Sequence, residues 1–87
     1  MQEINENIIT IFRKKQSVAM DKFHESLLAY GIDPDRVQVI ISKEAPDIVT
    51  FFRVHTLPTV LLFTDGEEIQ RLTAKEIEVN TLIQFLK

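Results

Sequence analysis

The 87 residues predict an α/β domain of order β-α-β-α-β-β-α, a four-stranded mixed sheet flanked by three helices. Three observations carry this reading. Along the chain, the apolar residues alternate between near-continuous runs and steps of three and four, the marks of buried strands and of helix faces. Glycine and proline fall at the boundaries of these segments. Near the end, Asp65-Gly66 joins two strand-like runs as a tight hairpin turn.

Asn7 to Phe12, "NIITIF", is rich in β-branched and aromatic residues and reads as a strand buried on both faces. Arg13 to Gln16 is a basic connector. From Ser17, the spacing of Met20, Phe23, Leu27 and Tyr30 predicts one apolar helix face, with Ser17 as N-cap and Gly31 taking the left-handed conformation that ends the helix. "IDPDR", Ile32 to Arg36, is a turn, and Arg36 to Ser42 is a second strand, parallel to the first through a right-handed crossover. Pro46 and Asp47 suit the first turn of a short helix that carries Ile48, Phe51, Phe52 and Val54. After Pro58, "TVLLF" and "EIQRLT" form the hairpin. Val79, Leu82, Ile83 and Leu86 then mark a third helix face. Thr73 and Glu76 have capping-box spacing, although that last face starts only at Val79. Phe51, Phe52, Phe63 and Phe85 are expected in the core.

The composition excludes more than it assigns. A chain of this length buries roughly 60% of its unfolded surface, enough for one domain spanning 1–87, with a core from about residue 7 and at most one small site. With no cysteine there is no disulfide, thiolate metal site, iron–sulfur cluster or thiol redox chemistry. His24 and His55 are far apart without a carboxylate at ligand spacing, so no metal is expected. A net charge of −3 with the signs interspersed provides no field for nucleic acid or acidic lipid. The opening "MQEINENIITIF" is polar before a short apolar run, the wrong order for a signal peptide or a membrane span, which predicts a cytoplasmic protein.

The stretch "FRVHTLPTVLLFTDGEEI", Phe52 to Ile69, taken with the element order, resembles the thioredoxin superfamily, in which a helix, a short loop and a cis-Pro-Thr precede the third strand. The resemblance runs from about Asn7 to Lys87 and is most specific at Val54, Pro58, Thr59, Phe63 and Gly66. The extra N-terminal strand and helix of a full thioredoxin are missing from it, which brings the size closer to a glutaredoxin. It implies a cis bond at Pro58, with Thr56 and Leu57 turned outward beside the functional loop. Phe12 and Phe23 align without gaps, and the Cys-x-x-Cys motif then falls on "SVAM", Ser17 to Met20. Ile11 stands where the family's buried acid would be, and Thr73-Ala74 where a glycine is usual. Neither a hydroxyl nor a thioether replaces an attacking and a resolving thiol, so thiol–disulfide oxidoreductase activity is excluded.

What the resemblance leaves is a surface around the first helix N-terminus and the loop before Pro58, formed by Arg13, Lys14, Lys15, Gln16, Ser17, Val18, Met20, His55, Thr56, Leu57 and Pro58. In the active relatives this face binds extended peptide through the backbone before the cis-proline, a position matched here by Leu57. The expected function is therefore a redox-inactive protein- or peptide-binding module with no cofactor and no catalytic residue. The alternative is a glutathione- or anion-binding domain using Ser17 and the basic Arg13–Lys15 loop at a helix N-terminus. "LTAKEIE" before the last helix lacks the pattern that usually holds a γ-glutamyl group, which weighs against glutathione. No acid is evident to orient His55 toward Ser17 as a nucleophile. No aromatics are interleaved with the basic residues to stack bases.

Overall fold

The computed structural model describes residues 6–85, so Leu86 of the expected last helix face lies outside the described residues. The elements are β1 (Asn7–Arg13), α1 (Val18–Ala29), β2 (Val37–Ile41), α2 (Pro46–Phe51), β3 (Thr59–Thr64), β4 (Glu67–Thr73) and α3 (Val79–Phe85). Short 3-10 turns at Pro34–Arg36, Ser42–Glu44 and Ala74–Glu76 connect them. The strands form one sheet in the order β2-β1-β3-β4. β1 is parallel to β2 and antiparallel to β3, and β3 is antiparallel to β4.

Alternation along β1 divides the core in two. Ile9 and Ile11 join Val60, Leu62 and Leu72 beneath Met20, Phe23 and Leu27 of α1 and Leu82 of α3. On the other face Phe12 and Leu61 pack with Val54, and α2 adds Val49 while Phe52 follows at its end. Phe52 meets Phe12 and Phe63 edge to face, with ring centroids 6.1 and 5.6 Å apart.

Two aromatic expectations are corrected. Tyr30 continues the spacing of the α1 face but is 65% exposed, because it is the C-cap residue, where the chain leaves the helix before Gly31 at φ +90°. Phe51 is 77% exposed. A six-residue helix has only one stripe to turn to the sheet, and Val49 and Phe52 occupy it, leaving Phe51 edge-on to Phe52.

The turns follow local chemistry. Asp65 and Gly66 both have positive φ, 53° and 84°, as a two-residue hairpin turn requires. The Asp65 side chain accepts a hydrogen bond from the Glu6 N–H at 3.0 Å. Thr73 and Glu76 cap the 3-10 turn and not α3, since the Glu76 carboxylate accepts both the N–H and the hydroxyl of Thr73, at 3.1 and 3.0 Å. This turn forces Ala74 into the left-handed region, at φ +43°. A Cβ there costs on the order of 1 kcal/mol, so Ala74→Gly is expected to raise the urea midpoint by an equivalent gain of about 0.5–1 kcal/mol. A lowered midpoint would mean that the methyl packs more than it strains.

Arg71 of β4 closes the C-terminal end of α2. Its guanidinium donates to the carbonyls of Phe52 and Arg53, at 2.7 and 3.0 Å, while Glu68 accepts two further bonds. Hydrogen bonding to Glu68, aided by its charge and opposed by partial burial, raises the Arg71 pKa further above neutrality. The charge is therefore permanent at every pH the fold experiences. The carbonyls of the two residues that follow α2 thus gain a partner from a strand 18 and 19 residues away in sequence.

Candidate functional site

The candidate site begins where β1 ends. Ser17 is extended, at φ −156°, and its Oγ accepts the Met20 N–H at 3.3 Å, the bond expected of an N-cap. Its hydroxyl oxygen is thus engaged by the helix it starts. Met20 is buried at 4% exposure among Ile11 and its neighbours and also forms part of the site wall.

Arg13 departs from its expected role in a basic exposed loop. Alternation places it on the same face of β1 as Ile9 and Ile11, and its side chain is only 8% exposed. The guanidinium donates to the carbonyls of Lys14, Lys15 and Ser17, at 2.9, 3.2 and 3.3 Å, and pairs with Asp21 at 2.7 Å. Arg13 is therefore an internal staple of the loop, and the free positive charge of "RKK" reduces to Lys14 and Lys15, both exposed. A basic residue ends up inside because the rigid, forked guanidinium can satisfy several acceptors at once.

The second wall comes from the segment before β3, where the Leu57–Pro58 peptide is cis. Thr59, 1% exposed, donates its hydroxyl hydrogen to the Thr56 carbonyl at 2.7 Å and ties this loop to the strand. Leu57 is half-buried against the Phe12 cluster. Among the described residues, neither its N–H nor its C=O has a hydrogen-bond partner, whereas the Pro58 carbonyl accepts from Ala74 N–H at 3.4 Å.

Between these walls lies an open depression of about 230 Å³ lined by Lys14, Gln16, Ser17, Met20, Leu57 and Pro58. Lys15, Val18, His55 and Thr56 are exposed but outside its lining, with Val18 at 70% exposure. Arg13 lies behind it. Two supporting residues escaped the sequence reading: Asp21, the partner of Arg13, and Thr59 as the anchor of the second loop. Asp21 sits in the first turn of α1 and so within reach of the end of β1, a placement that the pattern of elements allows to be anticipated. Among the described residues no group of histidine, aspartate and glutamate side chains is arranged to hold a metal ion. No described helix is long and apolar enough to cross a membrane.

No protein-family model matches the chain, and no curated protein matches it in sequence. Solved structures do match in shape. A single-residue variant of thioredoxin from Halobacterium salinarum superposes with a TM-score of 0.77 at 18% identity, covering 93% of this chain and 72% of that one. Thioredoxin-2, described as a component of the malaria parasite protein secretion machinery, gives 0.75 at 21% identity over 98% and 84% of the two chains. The thioredoxin NaTrxh from Nicotiana alata gives 0.74 at 23%, over 97% and 73%. With this agreement in shape, a four-stranded mixed sheet, three helices and no cysteine, the chain has the thioredoxin fold without the thiols of a Cys-x-x-Cys motif.

Proposed function

We propose that this protein is a non-catalytic binding module that holds an extended peptide across the depression between the Lys14–Met20 segment and Leu57-Pro58. The observation that carries this reading is the unpaired backbone of Leu57 beside an open depression. A polypeptide in extended conformation offers the N–H and C=O that such a residue lacks, so that main-chain bonds supply affinity and the flanking side chains supply selectivity. Met20, Leu57 and Pro58 present apolar contact, while Lys14 and Gln16 favour an acidic or polar residue on the bound segment. Ser17 contributes a wall of the depression and the helix cap, with no role as a nucleophile.

The test is selection from a displayed library of unstructured twelve-residue peptides. Binders of the wild type should lose affinity by about ten-fold or more toward a Lys14→Glu, Gln16→Ala variant, the size expected when one charged and one polar contact are removed. Binders indifferent to both substitutions would place peptide recognition elsewhere.

Lys14 in the lining also favours a second reading, an anionic small ligand at the α1 N-terminus. Its probe is glutathione added to labelled protein. Saturable shifts at Ser17, Leu57 and Thr73–Glu76 would support this reading, and their absence at millimolar glutathione would remove it.

A further inference from the structure

The two edges of the sheet are built differently. β4 carries Glu67, Glu68 and Arg71, and its pairing with β3 is broken by a register shift at Leu62/Phe63. Charges and bulges of this kind are what keep an exposed edge from pairing with another strand. β2 has none of these devices. Its five residues, Val37-Gln-Val-Ile-Ile41, are uncharged, contain no proline, and run in unbroken register with β1. Among the described residues, nothing pairs with its outer side. Val39, on the sheet face of its neighbour Ile11, is 40% exposed, and on the α2 side an open hollow of about 250 Å³ with a mixed polar and apolar lining includes Gln38 and Ile40.

We infer that a second copy of this chain covers the edge, β2 pairing antiparallel with β2 about a two-fold axis at Val39 to make one continuous eight-stranded sheet. The flanking charges select this partner and this register. With Val39 opposite itself, the 3-10 turns that flank β2 meet at the two ends of the paired strands, bringing Asp35 of each copy toward Lys43 of the other, twice per dimer. Both residues are exposed, and neither has an ion-pair partner among the described residues. A shift of one position in one direction would instead bring Asp35 toward Ser42 and Lys43 toward Pro34, which forfeits both opposite-charge pairs, and in the other direction Asp35 toward Glu44 and Arg36 toward Lys43, repulsive in both pairs. A further shift would pair Arg36 with Glu44, but the Arg36 guanidinium is already directed to the Asn7 carbonyl at 3.5 Å, and Asp35 and Lys43 would lose each other. Self-pairing of this kind is isologous and closes at two copies, leaving the blunted β4 strands as the outer edges of the assembly.

Sedimentation equilibrium up to about 0.5 mM, a range that includes weak interfaces of small area, tests the inference. The wild type should be a dimer, and Val39→Lys, folded by circular dichroism, a monomer. Asp35→Lys and Lys43→Asp, each placing like charges opposite one another twice, should each weaken association by roughly ten-fold. Mixed in equal amounts, those two variants should associate as the wild type does, because each heterodimer restores opposite charges at both ends. A wild type that stays monomeric would leave the edge to a foreign strand and overturn the inference. So would a dimer that survives Val39→Lys, or single variants that fail to recover on mixing.

Discussion

Phe12→Ala is expected to cost about 3–5 kcal/mol, the range for truncating a fully buried aromatic residue. Phe12 is the largest of the side chains that are completely excluded from solvent. Its ring is the centre of the smaller core layer, touching Phe52 edge to face and packing with Val54 and Leu61. That layer is covered by a helix of only six residues and the segment after it, so little structure is available to collapse into the void. A chain of this length has a total stability of about 4–13 kcal/mol, so the substitution should consume a large part of it. Urea denaturation should show a lowered midpoint with an unchanged slope. A loss below about 1 kcal/mol would mean that α2 and its neighbours rearrange freely, contrary to the tight packing of this layer.

Arg13→Ala is expected to cost about 2–3 kcal/mol, mainly through the three carbonyls of Lys14, Lys15 and Ser17 that the guanidinium holds. The ion pair with Asp21 contributes less, since that carboxylate is 61% exposed and screened by water. Asp21→Asn should therefore cost under about 1 kcal/mol. Arg13→Lys should not rescue the loss, because an ammonium lacks the planar fork that reaches separate acceptors. If Asp21→Asn matched Arg13→Ala, the ion pair and not the loop carbonyls would be what holds Arg13. The consequence extends to the candidate site, whose Lys14–Ser17 wall depends on this staple. Arg13→Ala should weaken peptide binding even though Arg13 lies outside the lining of the depression.

Arg13 also shows where the sequence stopped being legible. The elements were readable because each rests on a local signal: the three- and four-residue steps of Met20, Phe23 and Leu27, the hydroxyl of Ser17 at a helix start, and the turn formed by Asp65-Gly66. Three adjacent basic residues likewise have a local reading, as a solvated loop, and it holds for Lys14 and Lys15. For Arg13 a competing signal was present, since alternation from Ile9 and Ile11 turns it inward, but its inward position becomes tolerable only with acceptors supplied by the loop and by Asp21. Arg71 capping α2 is less accessible still, as it joins a strand to a helix end through contacts that no local pattern encodes. Tyr30 and Phe51 failed for different reasons. Tyr30 continues an apolar rhythm past the end of α1, and a periodic pattern does not mark its own end, whereas in the six-residue α2 the adjacent Phe51 and Phe52 carry no sign of which one takes the single stripe that faces the sheet. At the candidate site only the resemblance carried by Val54, Pro58 and Thr59 brings the two loops together, whereas the depression and the unpaired Leu57 backbone arise from how the two folded loops meet.

The most direct test of the central claim is amide hydrogen exchange at Leu57, with and without a peptide selected against the wild type. Without a partner in the free protein, the Leu57 N–H should exchange quickly, and bound peptide should slow it by about ten-fold or more, together with Ser17 and Gln16. Protection confined to other parts of the surface, with Leu57 unchanged at saturating peptide, would contradict strand addition at this loop.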